Sequence, residues 1–207
     1  MVSFLLAIVI FLFSVILHEV AHGTVADYLG DPTAKTAGRL TLNPLKHLDP
    51  MGSIFLPLML ILLRSNIIVG WARPVPVNPF NLRDKRYGGA KVAVAGPAVN
   101  ILVAIIFGLA VRFLPLGDSM FSQNLVLVFS YICWINLLLA VFNLTPVPPL
   151  DGSHILFTFL PHSLDNLKMF LFRYGFFILI FYIFLVFPFL ARLVNWIFNL
   201  IVGGSFI

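Results

Sequence analysis

Long apolar runs separated by short polar connections make up most of this 207-residue chain. Residues 2–17 carry no charge, and the helical pattern of this first run continues to residue 28, before a Gly-Asp-Pro sequence that ends helices. Later runs lie at 91–112, 124–143, 168–187 and 189–203. A helix needs about 20 apolar residues to cross a bilayer. The pattern therefore predicts an all-α polytopic membrane protein with about five to six membrane segments.

The composition supports this assignment and removes other classes of protein. Hydrophobic residues make up 60% of the chain and charged residues only 10%, whereas a soluble globular chain has about 25% charged residues. The single cysteine, Cys133, excludes an internal disulfide framework and a cysteine-rich metal site. The excess of 13 Lys and Arg over 8 Asp and Glu is typical of cytoplasmic loops in a membrane protein. We therefore expect the lipid bilayer, and no nucleic acid, as a partner.

The segment at 53–69 decides the topology. Its first part is apolar but too short to cross a bilayer alone. If it enters and returns on one side, eleven basic residues lie inside and two, Arg112 and Arg192, lie outside, as the positive-inside rule favours. A full crossing would put the basic residues of 73–86 outside. We therefore expect one membrane domain with an outside N-terminus, a permanent first span without signal-peptide features, and a re-entrant and cytoplasmic region at 29–90.

The first run contains a sequence with the chemistry of a metal site, H-E-x-x-H at 18–22. Residues four apart lie on one face of a helix, so His18 and His22 can bind the same ion. Glu19, the one glutamate in the chain, stands beside them and can take a proton from water. Such short matches also arise by chance in soluble helices, but a glutamate at membrane depth is costly and marks a function by default. The motif therefore predicts a catalytic metal site.

Catalytic zinc usually has three protein ligands and one open position, so a third ligand must come from elsewhere. No second glutamate exists, and Tyr28 stands where an extended motif would have a third histidine. The remaining candidates are Asp27, Asp31, Asp49, Asp84, Asp118, Asp151, Asp165, His47, His154 and His162. Of these, Asp27 faces away round the helix and Asp118 belongs to an outer loop. Three others are expected to be solvated loop charges: Asp31, Asp84 and Asp165.

Asp151 is the strongest of the other candidates. It lies in a proline-broken turn, 144–152, at the inner end of the 124–143 span. Irregular backbone at membrane depth is tolerated where protein or a water-filled cavity satisfies it. The expected topology also brings this turn to the same side as the H-E-x-x-H motif. His154, three residues on, competes as a ligand or supports the ligands from behind.

Three asparagines lie in or beside the apolar runs. Asn143, eight residues before Asp151, is a candidate catalytic residue that donates to a developing oxyanion or binds the substrate backbone, and it equally suits closing the proline-broken turn. Asn100 is a candidate for binding substrate in a cavity or for orienting the core helices. Asn136 is expected to join neighbouring helices by hydrogen bonding.

Residues 70–80 contain three prolines and therefore cannot be helical. With 53–69, they are expected to form a re-entrant flap near the metal, against which an unwound substrate pairs. The alternative is a plain cytoplasmic loop. His47 and Asp49 either approach the metal site or cap a turn, and the turn is favoured.

Three motifs together carry a resemblance: H-E-x-x-H at 18–22, G-P-A-V-N at 96–100 and N-x-x-P-x-x-x-L-D-G at 143–152. In this order they resemble the site-2 protease family of intramembrane zinc metalloproteases. The chain departs from many members in having Ser153 where a second glycine is common. The PDZ or CBS domains that accompany many members do not occur in these residues, so we expect a short form.

The resemblance implies Zn²⁺ as the cofactor, with His18, His22 and Asp151 as its ligands and Glu19 as general base. It further implies a zinc metalloendopeptidase that cleaves membrane-spanning proteins or signal peptides toward the cytoplasmic side of a prokaryotic cell membrane. A membrane zinc transporter is the alternative function. A transporter would need metal ligands at several depths, whereas the candidate ligands here cluster at one level.

Overall fold

The computed structural model describes residues 2–63, 73–114 and 119–204. Within these ranges the chain is helical and contains no β-strand. The α-helices are α1 (Val2–Tyr28), α2 (Thr33–Thr36), α3 (Leu56–Leu62), α4 (Gly88–Phe113), α5 (Met120–Asn143), α6 (Asp151–Phe159), α7 (Asp165–Leu185) and α8 (Phe187–Val202). Short 3₁₀ turns lie at Pro44–Lys46, Pro79–Asn81 and His162–Leu164, and a π-helical turn, Pro50–Phe55, leads into α3.

Four of the described helical stretches are long and apolar enough to cross a membrane: Leu5–Tyr28, Gly88–Phe113, Met120–Asn143 and His162–Leu185. This architecture confirms the prediction of an all-α polytopic membrane protein. The final helix, α8, has 16 residues, fewer than the roughly 20 that a perpendicular crossing needs. Its Val194, Phe198 and Val202 are buried, so one face packs on the bundle while the other faces outward.

The core of the bundle lies between α4, α5 and α8. Its buried cluster contains Ala104, Cys133, Leu137, Val194, Phe198 and Val202. Small residues allow membrane helices to approach closely. Gly108 of α4 allows this at the contact with α5 and α8. A Cβ there would lie 2.5 Å from the Ile201 side chain and 2.9 Å from the Cys133 sulfur. The α7 helix, in contrast, buries only Gly175 and is otherwise exposed or half-buried.

Buried amides connect α1, α4 and α5. Asn136 of α5 donates to Ser14 Oγ of α1 at 2.8 Å, and its Oδ1 accepts from Asn100 Nδ2 of α4 at 2.7 Å. All three side chains are buried. The bonds confirm the predicted interhelical role of Asn136. Because few alternatives to such bonds exist inside hydrocarbon, the three helices are held at one level relative to each other.

In the connection from α1 to α4, the sequence prediction is wrong about the exposure of Asp31. Asp31 was expected to be a solvated loop charge, but it is 0% exposed. Its carboxylate accepts from Asn78 N at 2.6 Å, from Asn81 Nδ2 at 2.9 Å, and from both the backbone and the hydroxyl of Thr33. Burial alone would raise the pKa of Asp31, but these hydrogen bonds outweigh it and hold the pKa below its ordinary value. Asp31 therefore fastens the start of the connection to its end.

Replacing Asp31 with asparagine is expected to lower the free energy of unfolding by about 2–3 kcal/mol at neutral pH, because bonds to a buried charge are lost. A depressed pKa means that this stabilisation is present above the unfolded value of about 3.9 and is lost as the pH falls through the folded pKa. Melting temperatures of the variant and wild type in detergent should therefore differ at pH 7 and approach each other progressively as the pH falls below about 4. The exposed Asp165, replaced in the same way, is the control. Equal melting of the Asp31 variant and wild type at pH 7 would contradict the assignment.

The strap, defined as residues 73–78, crosses beside α1 without helix or strand structure. Arg73 N donates to His47 O at 2.9 Å, and the buried Arg39 donates from Nη2 to Arg73 O at 2.6 Å. At the far end, the strap is held by the Asn78 N–H on Asp31. These three attachments fix its path. The non-helical backbone of 73–78 agrees with the sequence prediction for 70–80, but the prediction is wrong at its end, where Pro79 begins a 3₁₀ turn whose first position tolerates proline. Residues 70–72 lie outside the described part of the chain.

His47 and Asp49 form a turn rather than joining a metal site. His47 is 0% exposed, and its Nε2 donates to Thr41 O at 2.8 Å. Asp49 Oδ1 accepts from Met51 N and Gly52 N at 3.0 and 2.7 Å. The favoured interpretation of these two residues is therefore confirmed. Of the predicted re-entrant segment 53–69, the described part is helical, and residues 64–69 lie outside the described ranges.

Candidate metal centre

Three side chains from distant parts of the sequence meet between α1 and α6. His18 Nε2 lies 3.0 Å from Asp151 Oδ2, and His22 Nε2 lies 3.3 Å from the same oxygen. The two Nε2 atoms are 3.0 Å apart. The three ligand atoms thus form a tight triangle. In the described part of the chain this is the group of His, Cys, Asp and Glu side chains with metal-binding geometry.

Hydrogen bonds on the far side of each imidazole set its orientation. His18 Nδ1 lies 2.6 Å from Asn100 Oδ1, and His22 Nδ1 lies 2.7 Å from Val92 O. Both partners are oxygens that can only accept here, so each Nδ1 carries the proton. Each Nε2 therefore turns a lone pair toward Asp151. This is the arrangement that metal-binding histidines adopt when a neighbouring acceptor fixes the ring.

The donor set fits a divalent cation. Asp151 Oδ2 is buried and has no hydrogen-bond donor, because the two nearest nitrogens present lone pairs rather than protons. Three acceptors this close repel each other unless a positive charge lies among them. Two imidazole nitrogens and one carboxylate oxygen are ligands that Zn²⁺ takes, with room for a fourth.

Gly96 of α4 makes room for the two imidazoles. A Cβ at this position would lie 2.5 Å from His18 Cε1 and from His22 Nε2, and 2.6 Å from His18 Nε2. Real Cβ atoms do not approach other atoms this closely, so both rings rest against the bare backbone of α4. One turn further along, Asn100 supplies the acceptor for His18. The G-P-A-V-N motif therefore shapes the site from behind, a role that the sequence prediction did not assign to Gly96.

The proline-broken turn positions Asp151 at the first residue of α6. The α5 helix ends at Asn143, and the chain turns back before α6 begins. A Cβ on Gly152 would collide with the carbonyl oxygens of Leu144 and Thr145, so glycine is required for this close approach. The turn is also backed by α7, where a Cβ on Gly175 would lie 2.7 Å from Pro148.

A cavity of about 430 Å³ opens beside the metal centre. Glu19 lines it, and its Oε2 accepts from Val75 N of the strap at 2.7 Å. Asn143 and His154 line the same cavity. The strap thus holds the carboxylate of Glu19 in the cavity that the two histidines also line.

The structure separates the two asparagines of the sequence prediction. Asn143 lines the cavity, and its Nδ2 donates one hydrogen to Leu139 O at 3.0 Å. Asn100 is 0% exposed and lies behind His18 rather than in the cavity wall. The burial of Asn100 offers no surface to a substrate, and its contact with His18 favours the orienting alternative. Ser153 is also buried and donates from Oγ to Leu150 O at 2.7 Å.

Among the described residues, the other aspartates of the sequence prediction do not join this triangle. Asp118 is outside the described residues. The remaining aspartates form ion pairs with lysines: Asp27 with Lys35 at 3.3 Å, Asp84 with Lys91 at 2.7 Å, and Asp165 with Lys168 at 2.8 Å.

The chain is similar to one protein family and to several named relatives. The model of Peptidase family M50 matches residues 111–182, which include Asn143 and Asp151 but not the H-E-x-x-H motif. "Putative zinc metalloprotease YwhC" of Bacillus subtilis (strain 168) is 46% identical over 149 residues, which are 70% of this chain and 64% of that protein. This chain belongs to peptidase family M50. As an M50 member with several membrane-length apolar helices, it is an integral membrane protein.

Two further relatives of this M50 chain carry the name "Putative zinc metalloprotease Rip2". The protein from Mycolicibacterium smegmatis is 34% identical over 150 residues, and the one from Mycobacterium tuberculosis (strain ATCC 25618 / H37Rv) is 32% identical over 151 residues. Each alignment covers 72% of this chain and 55% of the relative. The chain therefore aligns with less than two thirds of the length of these curated relatives. No solved structure matches it significantly.

Proposed function

We propose that this M50 protein is an intramembrane zinc metalloendopeptidase that hydrolyses peptide bonds of membrane-spanning proteins. One observation carries the proposal: the ligand atoms of His18, His22 and Asp151 lie within 4.8 Å of one another, with the carboxylate of Glu19 in the adjoining cavity. A structural zinc site usually has four protein ligands, whereas a catalytic one leaves a position open. Three ligands beside an acid–base residue are the arrangement of a hydrolase.

His18, His22 and Asp151 would hold Zn²⁺, which when bound supplies a Lewis acid that makes water nucleophilic at neutral pH. Glu19 takes the proton of the attacking water and passes it to the leaving amine. The Val75 N–H holds Oε2 of Glu19 in place, leaving the second oxygen of the carboxylate for proton transfer. Asn100 keeps His18 aimed at the metal through its Nδ1.

Asn143 is proposed to bind the substrate beside the scissile bond. Its amide has two N–H groups, and one of them already donates to Leu139 O. The second is offered to a substrate carbonyl, where it would stabilise negative charge that develops on the oxygen. This assignment uses the position of Asn143 in the cavity wall.

The strap is proposed to receive the substrate in an extended form. A protease must unwind a helical substrate because helical hydrogen bonds bury the peptide group. Pro74 and Pro76 have no N–H, and the Val75 N–H is used by Glu19. The strap therefore presents the N–H of Val77 and those of its carbonyls that Arg39 does not bind, which are the groups that pair with an added strand.

The site is proposed to face the cytoplasm of a prokaryotic cell. Nine of the 13 Lys and Arg residues lie between residues 29 and 91, the region that carries the strap, and basic residues concentrate on the cytoplasmic side. Membrane-spanning regulatory proteins and signal peptides left in the bilayer are the substrate classes that this orientation suits. Zinc transport is not favoured, since the described chain places its metal-binding group at one level.

Zinc removal provides the test of this proposal. Purified protein is expected to bind about one zinc ion per chain, and to lose both zinc and cleavage of a reconstituted transmembrane substrate when Asp151 is replaced with alanine. Zinc content is measured by mass spectrometry and cleavage by gel. The exposed Asp165, replaced with alanine, is the matched control and should retain both. Cleavage at the wild-type rate after a chelator has removed the metal would refute the proposal, as would zinc flux across vesicles without cleavage.

A further inference from the structure

The metal-centre cavity extends along α4 to Gly89, the second residue of that helix. A Cβ at Gly89 would meet no atom within 4 Å. The neighbouring Gly88 differs, because a Cβ there would lie 3.2 Å from the side chain of Leu82. Gly96 differs more strongly, since it touches both histidines. Gly89 is thus the glycine of this helix that borders open space inside the cavity.

Gly89 lies on the same face of α4 as the metal centre. It precedes Gly96 by seven residues, which is nearly two full turns and about 10 Å along the helix. An extended peptide advances about 3.3 Å per residue. A substrate that runs along α4 past the metal would therefore bring a side chain to Gly89 about three residues from its scissile bond.

The walls of the cavity around Gly89 are apolar. Val77 of the strap packs against the buried cluster that contains Leu82 and Val92, and all three residues line the cavity. The ionisable groups in the lining come from α1 and the first turn of α6. At the other end of α6, Phe159 contacts Tyr87 with ring centroids 6.1 Å apart, so the two helices remain close beyond Gly89. This end of the cavity suits a buried apolar side chain.

We infer that Gly89 forms a specificity subsite that accepts a large apolar side chain of the substrate, about three residues from the scissile bond. The inference rests on the proposed protease function and adds to it a preference at a defined position. Glycine leaves this end of the cavity open, whereas any larger residue at 89 would occupy the space that the substrate side chain takes. Gly89 contacts the substrate but does not take part in the chemistry.

A panel of substrates tests the subsite. Transmembrane substrates carry leucine, phenylalanine or alanine in turn at each of four positions on either side of the scissile bond, and kcat/KM is measured in reconstituted vesicles. At one position, wild type is expected to favour leucine or phenylalanine over alanine. Gly89→Leu should lose about tenfold or more on those large residues and little on alanine, because filling a pocket changes discrimination by this amount. Gly89→Ala should give an intermediate profile.

Two controls separate the possible failures. Val94→Phe adds bulk to an exposed position of the same helix outside the cavity and should leave the substrate profile unchanged. Zinc content of each variant reports whether the metal centre is intact. Equal loss of activity by Gly89→Leu and Gly89→Ala on all substrates, or no change on any, would overturn the subsite while the protease function stands. Absence of cleavage by zinc-loaded wild type on every substrate would overturn the proposed function, and the subsite with it.

Discussion

Zinc binding and peptide cleavage should both disappear when Gly96 is replaced with alanine. The added Cβ would lie 2.5 Å from atoms of both imidazoles, and it is fixed to the backbone of α4, so the rings must move instead. Metal sites tolerate ligand displacements of only about 0.2 Å. Once the rings move, the Nε2 atoms of His18 and His22 no longer lie beside Asp151 Oδ2. The number of zinc ions bound per chain, measured for the purified variant after dialysis against buffer with trace zinc, reports the loss directly.

Gly89→Ala is the matched control for zinc content, because it makes the same substitution on the same face of α4 where no atom lies within 4 Å. It should bind as much zinc as wild type. Helix propensity favours alanine in both variants, so a difference between them comes from the contact with the histidines. A Gly96 variant that retains zinc with wild-type affinity would show that the imidazoles do not rest on this backbone when metal is bound.

Replacing Glu19 with glutamine should reduce cleavage by about 10³–10⁴-fold and leave zinc in place, because general-base catalysis contributes up to this factor. Glutamine has nearly the same shape, and its amide oxygen can still accept from Val75 N, which now donates to Glu19 at 2.7 Å. The variant loses the ability to take a proton. Single-turnover cleavage in vesicles, together with zinc content, measures the two effects separately.

Glu19→Asp serves as the companion variant because it keeps a carboxylate but shortens its reach. It should show intermediate activity, with zinc bound. A Glu19→Gln protein that cleaves at close to the wild-type rate would remove the residue from proton transfer, and the metal ligands would then need another base. Loss of zinc from the same variant would instead assign Glu19 a part in metal binding.

Helix positions were largely predictable because composition governs what can stay in a bilayer. The first helix, predicted to run to residue 28, ends there as α1, since the chain continues with a turn-forming sequence. The starts of later helices were less accurate. The span predicted from 124 begins at Met120, where Ser119 accepts from Ser122 N and caps the helix. Hydropathy follows the apolar region, whereas helices extend beyond it into capped polar turns.

The grouping of His18, His22 and Asp151 was accessible from the sequence because helix periodicity and span parity restrict where each residue can lie. The residues that hold these ligands and the neighbouring loop in place were not predictable from the sequence. The approach of Gly96 to the imidazoles depends on how α4 packs against α1, which spacing within one helix does not reveal. Asp31 was misjudged because its local sequence is that of an exposed turn, while two of its donors, Asn78 and Asn81, are about 50 residues further along.

The amide chain from Ser14 through Asn136 and Asn100 ends on the ring of His18. If α5 rotated or slid against α1, this line of bonds would transmit the displacement to a metal ligand. A substitution in this buried chain, remote from the cavity, would then lower activity before it lowered the stability of the fold. The packing of the helices and the orientation of His18 consequently depend on the same hydrogen bonds.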